Sequence, residues 1–299
     1  MIPTWILLAF IAPALFGIAN ALDNYLVKKE KRNLFSLLFI TTCIATLFLP
    51  ILFLIEPPEL LLLKDVPGYL LIAFAGIVSY YPYYLSLEAE ETSIVVSLFS
   101  LGRVFLALFA YFLLGELLSV WQYLGMFVIV IAGAISTYDG GPHKVLKKSF
   151  WYMMGCSMLW ALQMVMYKKA FNEVSWSTGL FWTQIFSTII ILLPLGFVNV
   201  RKNLVRTASH WQNRMPFLLS GGLFAFLGTA ASMAAISTAS VTVVKNIGAL
   251  QPVYVLVFAT MLRPILPKFF HEQTAKGHLL KKMACILAVF IGTYLVLNA

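Results

Sequence analysis

Arg103 and Lys245 lie inside long apolar runs, and Asp23 is the carboxylate set deepest in such a run. A guanidinium offers a planar fork that fits a carboxylate or phosphate, whereas an ammonium acts as a point charge. A charged side chain near mid-bilayer costs at least about 2.5–3.5 kcal/mol, so each of these should face protein or water and have a partner. Arg103 is therefore expected either to recognise an anion or to serve as an ion pair or carbonyl clamp between helices. Lys245 sits nearer the end of its run, where anion recognition competes with snorkelling to the interface. Asp23 reads either as a site for a coupling proton, since a partly buried carboxylate can titrate near neutrality, or as the partner of Lys28 and the interfacial cations beside it.

Weaker candidates surround these three. In Tyr80-Tyr81-Pro82-Tyr83-Tyr84 the proline frees a backbone carbonyl and the tyrosines offer hydroxyls and ring faces. Tyr80 and Tyr84 then belong either to a hinge and aromatic cavity wall or to a kinked, tightly packed helix. Trp160, Gln163, Tyr167, Gln184, Asn246 and Gln251 are further polar or aromatic side chains in apolar runs. Each taken singly reads as an interhelical hydrogen bond before it reads as a ligand contact. Glu88, Glu90 and Glu91 are expected in a solvated turn. Enzyme chemistry has little support: there is no HExxH or GxSxG motif, and His143, His210, His271 and His278 are all expected in loops. No cofactor or metal is expected, and a Schiff base at Lys245 has only the lysine itself in its favour.

The elements that must position these residues follow from composition. Hydrophobic residues make up 61% of the 299 and charged residues 11%, more apolar surface than a soluble domain can hide. Ten segments approach the roughly 20 apolar residues that a span needs, at 3–27, 33–55, 67–87, 92–114, 119–138, 149–170, 175–198, 215–236, 238–262 and 281–298. The first is read as a span and not as a removed signal peptide. Cys43, Cys156 and Cys285 each fall in a span and are expected to pack rather than to form disulfides. Most Lys and Arg residues lie in the links after spans 1, 3, 5, 7 and 9, which puts those links in the cytoplasm and both termini outside. The same residues account for the basic excess without nucleic acid, through orientation and lipid headgroups.

The chain also repeats itself. Ser100–Leu113 (SLGRVFLALFAYFL) aligns without a gap on Ala249–Leu262 (ALQPVYVLVFATML), so that Arg103 stands opposite Pro252 and Lys245 opposite Val96. The polar stretch 139–148 divides the chain into five-span halves, 1–138 and 149–299. Five is odd, so the second half enters the membrane inverted, an arrangement suited to alternating access about a midplane site. Gly17 with Ala21, Gly221 with Ala225 and Gly228 with Ser232 are expected to let helices approach closely.

Leu113-Leu114-Gly115-Glu116-Leu117-Leu118-Ser119, followed by Gln122 and Gly125, resembles the signature that closes the first repeat of the ten-span EamA-like branch of the drug/metabolite transporter superfamily. Leu250-Gln251-Pro252-Val253-Tyr254 is similar to the corresponding stretch of the second repeat. The resemblance implies an all-α membrane protein of ten helices, two inverted five-helix repeats around a central cavity lined by spans 1, 3, 4, 6, 8 and 9. It implies that Glu116 caps the turn between spans 4 and 5. Arg103 departs from it, standing where that family has proline, and Arg263-Pro264-Ile265 replaces the second Gly-Glu. The outside termini depart from it too.

The function expected is secondary active transport of a small polar metabolite bearing a carboxylate or phosphate, with protons as the coupling ion. Arg103, Lys245, Tyr80, Tyr84, Trp160, Gln163, Asn246 and Gln251 would line the substrate site, and Asp23 would take the proton. Export of a neutral or cationic compound and flipping of a lipid headgroup are the alternatives. The protein is expected in a plasma membrane, in contact with lipid, as a monomer or homodimer.

Overall fold

A backbone in hydrocarbon must satisfy its own hydrogen bonds, and in the computed structural model every regular element is a helix. The structure describes residues 3–29, 34–114, 119–137, 147–171, 173–239, 241–262 and 276–297. The helices are α1 (Thr4–Lys29), α2 (Leu34–Leu47), α3 (Pro50–Ile55), α4 (Val66–Ala89), α5 (Thr92–Leu98), α6 (Leu101–Leu114) and α7 (Val120–Thr137). They continue with α8 (Lys148–Ala170), α9 (Trp176–Leu192), α10 (Val198–Trp211), α11 (Met215–Thr238), α12 (Val241–Ile247), α13 (Gln251–Leu262) and α14 (Lys276–Leu297). The linker core, the Gly-Glu signature at 115–118 and the 263–265 departure lie outside the described residues.

Among the described residues, six helical segments are long and apolar enough to cross a membrane: Thr4–Lys28, Leu34–Ile55, Val66–Ala89, Thr92–Phe109, Trp176–Gly196 and Met215–Thr238. Shorter apolar cores, Tyr123–Ala132 and Met283–Gly292, lie in α7 and α14. Their outward side chains, Phe53, Phe74, Phe127 and Leu287 among them, are large and apolar, which suits lipid as solvent.

Local chemistry explains the boundaries. Proline occupies the first turn of α3, α4 and α11, where its missing N–H is harmless. Ser175 caps α9, accepting the Thr178 amide at 3.3 Å. Pro82 lies inside α4, which runs through it unbroken. The interruptions fall elsewhere. The fourth apolar run divides at Phe99-Ser100 into α5 and α6, and the ninth divides at a 3-10 turn, Gly248–Leu250, into α12 and α13. Two histidines expected in loops, His210 and His278, fall within α10 and α14.

The breaks recur at a fixed interval. Helices α5 and α12 are each seven residues long and begin 149 residues apart. The link before each is also shared. Glu90 (φ −130°, ψ 171°) donates its amide to the Ser86 carbonyl, and Ala239 (φ −134°, ψ 171°) donates to that of Ala235.

Packing sets α1 against α11 and α13, α4 against α8 and α9, α6 against α8, α2 against α9, and α7 against α14. Glycines permit close helix approaches. A Cβ on Gly292 of α14 would come within 2.7 Å of the Gly125 carbonyl of α7, and one on Gly228 of α11 within 3.1 Å of the Phe16 ring. Helix α10 was read from sequence only as a basic link. It turns Val200, Leu204 and Trp211 toward the protein, and leaves Val198, Arg201, Lys202, Val205 and Arg206 exposed. Cys43, Cys156 and Cys285 form no disulfide.

Candidate functional site

The bundle encloses a cavity of about 350 Å³ lined by α1, α2, α4, α6, α8, α9, α11, α12 and α13. Arg103, Lys245, Asp23, Tyr80, Tyr84, Trp160, Gln163 and Gln251 all stand on its wall. Asn246 lies in α12, but its side chain is outside the described residues.

The two cations meet at the second break. Ending α12 at Ile247 frees the carbonyls of its last turn, and the Arg103 Nε donates to the Lys245 carbonyl at 3.2 Å. The Lys245 ammonium extends to the Ser232 hydroxyl of α11 at 3.1 Å. Arg103 therefore performs the carbonyl clamp foreseen as one of its two roles, and it does so while lining the cavity. One wall thus carries two basic side chains, one from each half of the chain.

Asp23 has a different environment. The partner that the structure gives its carboxylate is the Tyr83 hydroxyl, at 3.2 Å, and not a lysine. The same hydroxyl lies 3.1 Å from the Asn20 Oδ1. Nearby, Thr41 gives its single proton to the Leu37 carbonyl at 2.9 Å, so the Tyr84 hydroxyl at 3.2 Å is the donor to Thr41.

Between these ends runs an aromatic wall. Trp160 stacks on Phe99 with centroids 4.3 Å apart, and Tyr80 and Tyr83 each lie 6.2 Å from Trp160. Tyr80, Tyr83 and Tyr84 face inward, whereas Tyr81 is half exposed on the outside. The Tyr-rich stretch is a wall on a continuous helix. Gln163 donates to the Ile72 carbonyl at 3.1 Å, beside Gly76, which leaves room for it. Gln184 donates to the Thr42 carbonyl at 3.0 Å and to the Thr46 hydroxyl at 3.2 Å. Both glutamines thus make the interhelical bonds expected of single polar residues, and both also line the cavity.

Sequence reasoning missed several lining residues. Helices α2 and α9, outside the expected set, add Thr41, Thr42, Thr183 and Ser187 beside the Gln184 already singled out. Asn20 was also passed over, although it stands one turn before Asp23 on the same face of α1, and that spacing was the available signal. Glu90, expected in a solvated turn, is buried and pairs with Lys147 at 3.1 Å, joining the start of α5 to that of α8. Lys64 and Glu173 form an exposed pair at 3.2 Å. Hydrogen bonding to Glu173, with the charges of Glu173 and Asp65, raises the Lys64 ammonium above the usual lysine range.

Residues 3–138 match the model of the EamA-like transporter family. No curated protein matches the sequence. A solved crystal structure, described only as that of a protein, is 15% identical and superposes over 100% of each chain with a TM-score of 0.61, a likeness of fold alone. The matched stretch lies in a chain whose described helices include six long and apolar enough to cross a membrane, in keeping with a family described as transporters.

Proposed function

We propose that this protein is a secondary carrier that moves a small polar metabolite bearing a carboxylate or phosphate by alternating access. One observation carries the reading: both halves contribute a cation to a single cavity of about 350 Å³, Arg103 from the first and Lys245 from the second. That volume suits a small organic molecule.

Two inverted five-helix repeats, 1–138 and 149–299 joined by 139–148, are the architecture we assign. Support comes from the 149-residue interval between the broken helices α5 and α12. It also comes from contacts that fall in exchangeable couples. Exchanging the halves carries α1–α11 onto α8–α4, and α1–α13 onto α8–α6. Ten spans follow when α2 with α3, α5 with α6, and α12 with α13 each count as one crossing and the basic helix α10 is left out. Rocking one half against the other would then expose the cavity to either side. Asp23 is the coupling group in this reading, a carboxylate inside a span facing a tyrosine hydroxyl. The charge of the loops supports an orientation with both termini outside, in a plasma membrane.

The test begins with purified protein. Carboxylates, phosphates, neutral compounds and cations are screened for thermal stabilisation, and the compounds that stabilise are offered to reconstituted vesicles. Stabilisation should come from anions, and Arg103→Gln should abolish their uptake. Hits confined to neutral compounds or cations, or uptake that survives Arg103→Gln, would overturn the assignment.

A further inference from the structure

The Asn20–Tyr83–Asp23 cluster contains a conflict over one proton. Tyr83 is 1% exposed, and its hydroxyl has a single hydrogen, yet acceptor oxygens lie on either side of it: Asn20 Oδ1 at 3.1 Å and Asp23 Oδ2 at 3.2 Å. A phenol donates once and accepts with its lone pairs, so one neighbour must give it a hydrogen. Two arrangements satisfy it. If Asp23 is protonated, its O–H donates to Tyr83, Tyr83 donates to Asn20 Oδ1, and the amide Nδ2 points away from the pair. If Asp23 is ionised, Tyr83 donates to the carboxylate, and the Asn20 amide must turn over so that Nδ2 donates to the phenol oxygen.

A second observation concerns the amide itself. Asn20 is 7% exposed and lines the cavity, and among the described residues its Nδ2 has no hydrogen-bond partner. With Oδ1 toward Tyr83 the amide has the orientation that the first arrangement uses, with an amide donor left over, and turning it over gives the second. A buried unpaired N–H is costly, and an acceptor oxygen on a substrate would remove that cost.

We propose that Asn20 is a substrate-contacting residue whose hydrogen-bonding sense is set, through Tyr83, by the proton on Asp23. With Asp23 protonated, Asn20 offers N–H to an acceptor oxygen. With Asp23 ionised, it offers a carbonyl oxygen, which repels one. Proton and oxygen-bearing substrate therefore favour the same state, and linkage requires each to tighten the other. That is the coupling sense of a symporter. The inference rests on the reading of Asp23 as the coupling site.

The surroundings leave Asp23 as the titrating member. Helix α4 presents Tyr80, Tyr83 and Tyr84, and α2 brings Cys43. Helices α5 and α11 contain no titratable side chain, though Glu91 precedes α5, Arg214 precedes α11, and Glu90 is held by Lys147. Tyr254 of α13 packs on Gly17, Lys245 of α12 reaches Ser232, and α1 itself carries Tyr25 and Lys28. Arg103 of α6 shares the cavity.

Infrared difference spectra between acid and alkaline pH test this on the full protein, labelled with carbon-13 at asparagine side-chain carbonyls. A protonated-carboxyl band should appear on acidification and vanish in Asp23→Asn. With it should come a shift of one asparagine carbonyl band, absent from Asn20→Ala or, should that fold poorly, from Asn20→Ser. In Tyr83→Phe the carboxyl band should persist while the amide shift is lost. A carboxyl band with no amide shift, or a shift that survives Tyr83→Phe, overturns the relay and leaves Asp23 as a proton site. Absence of any carboxyl band that depends on Asp23 overturns both.

Discussion

The breaks between α5 and α6 and between α12 and α13 have the same position and solve the same problem differently. Each ends a seven-residue helix and strands carbonyl groups inside the membrane. In the first, serines answer locally: Ser97 donates to the Ile94 carbonyl at 2.7 Å and Ser100 to that of Ser97 at 2.6 Å. The second has Gly248 and Ala249 where the first has Phe99 and Ser100, and one of its carbonyls receives Arg103 from the other half. Pro252, opposite Arg103, has no donor with which to return the contact. The first break also takes Ser157 of α8, whose hydroxyl donates to the Leu98 carbonyl at 3.3 Å, so each break is tied to the other half of the chain, one by neutral hydroxyls and the other by a guanidinium. That asymmetry leaves Arg103 and Lys245 near one break and hydroxyls at the other.

The largest test of this asymmetry is Arg103→Gln. It removes both the guanidinium charge and the hydrogen bond to the Lys245 carbonyl, and reconstituted uptake should fall about 100-fold, the scale of a charged hydrogen bond. Next is Val96→Lys, which places a cation where the first repeat lacks one. Val96 is 2% exposed, so an uncompensated charge there should destabilise the fold by about 3–5 kcal/mol, seen as a lower melting temperature in detergent. Wild-type melting would mean that positions 96 and 245 are equivalent after all. Lys245→Met keeps the length and removes the charge; uptake should fall about tenfold with the fold intact. Unchanged uptake would leave the ammonium to Ser232 alone. The smallest effect is expected at Gly248→Ala. A Cβ there meets nothing within 4 Å, so stability should rise by about 0.4–1 kcal/mol through the unfolded chain, measured by thermal unfolding. A loss instead would show that this break must bend further than the structure shows.

Much of the site was legible because intramembrane charge is costly wherever it occurs. Arg103, Lys245 and Asp23 could be singled out from their apolar neighbours alone, and all three line the cavity. The partner of Asp23 was not legible. Lys28 is near in sequence, but Tyr83, sixty residues on, is what packing brings to it. Glu90 looked solvated for the same reason, because its lysine lies across the chain at Lys147. Helix α10 was missed because a basic stretch between spans reads as a loop until its inward face, Val200, Leu204 and Trp211, is seen against the protein.

The sequence by itself determined that the chain lies in a membrane, where its apolar runs fall, and that one stretch is repeated. These follow from local composition and from comparison of the chain with itself, so no packing need be known. Only the tertiary structure decided that both apolar runs break where the repeat aligns, that Arg103 clamps the opposite half, and that Asn20 and Asp23 meet at one Tyr83 hydroxyl. Hydrogen-bond partners 60 to 142 residues apart are chosen by how helices pack, and helix packing is a property of the whole bundle.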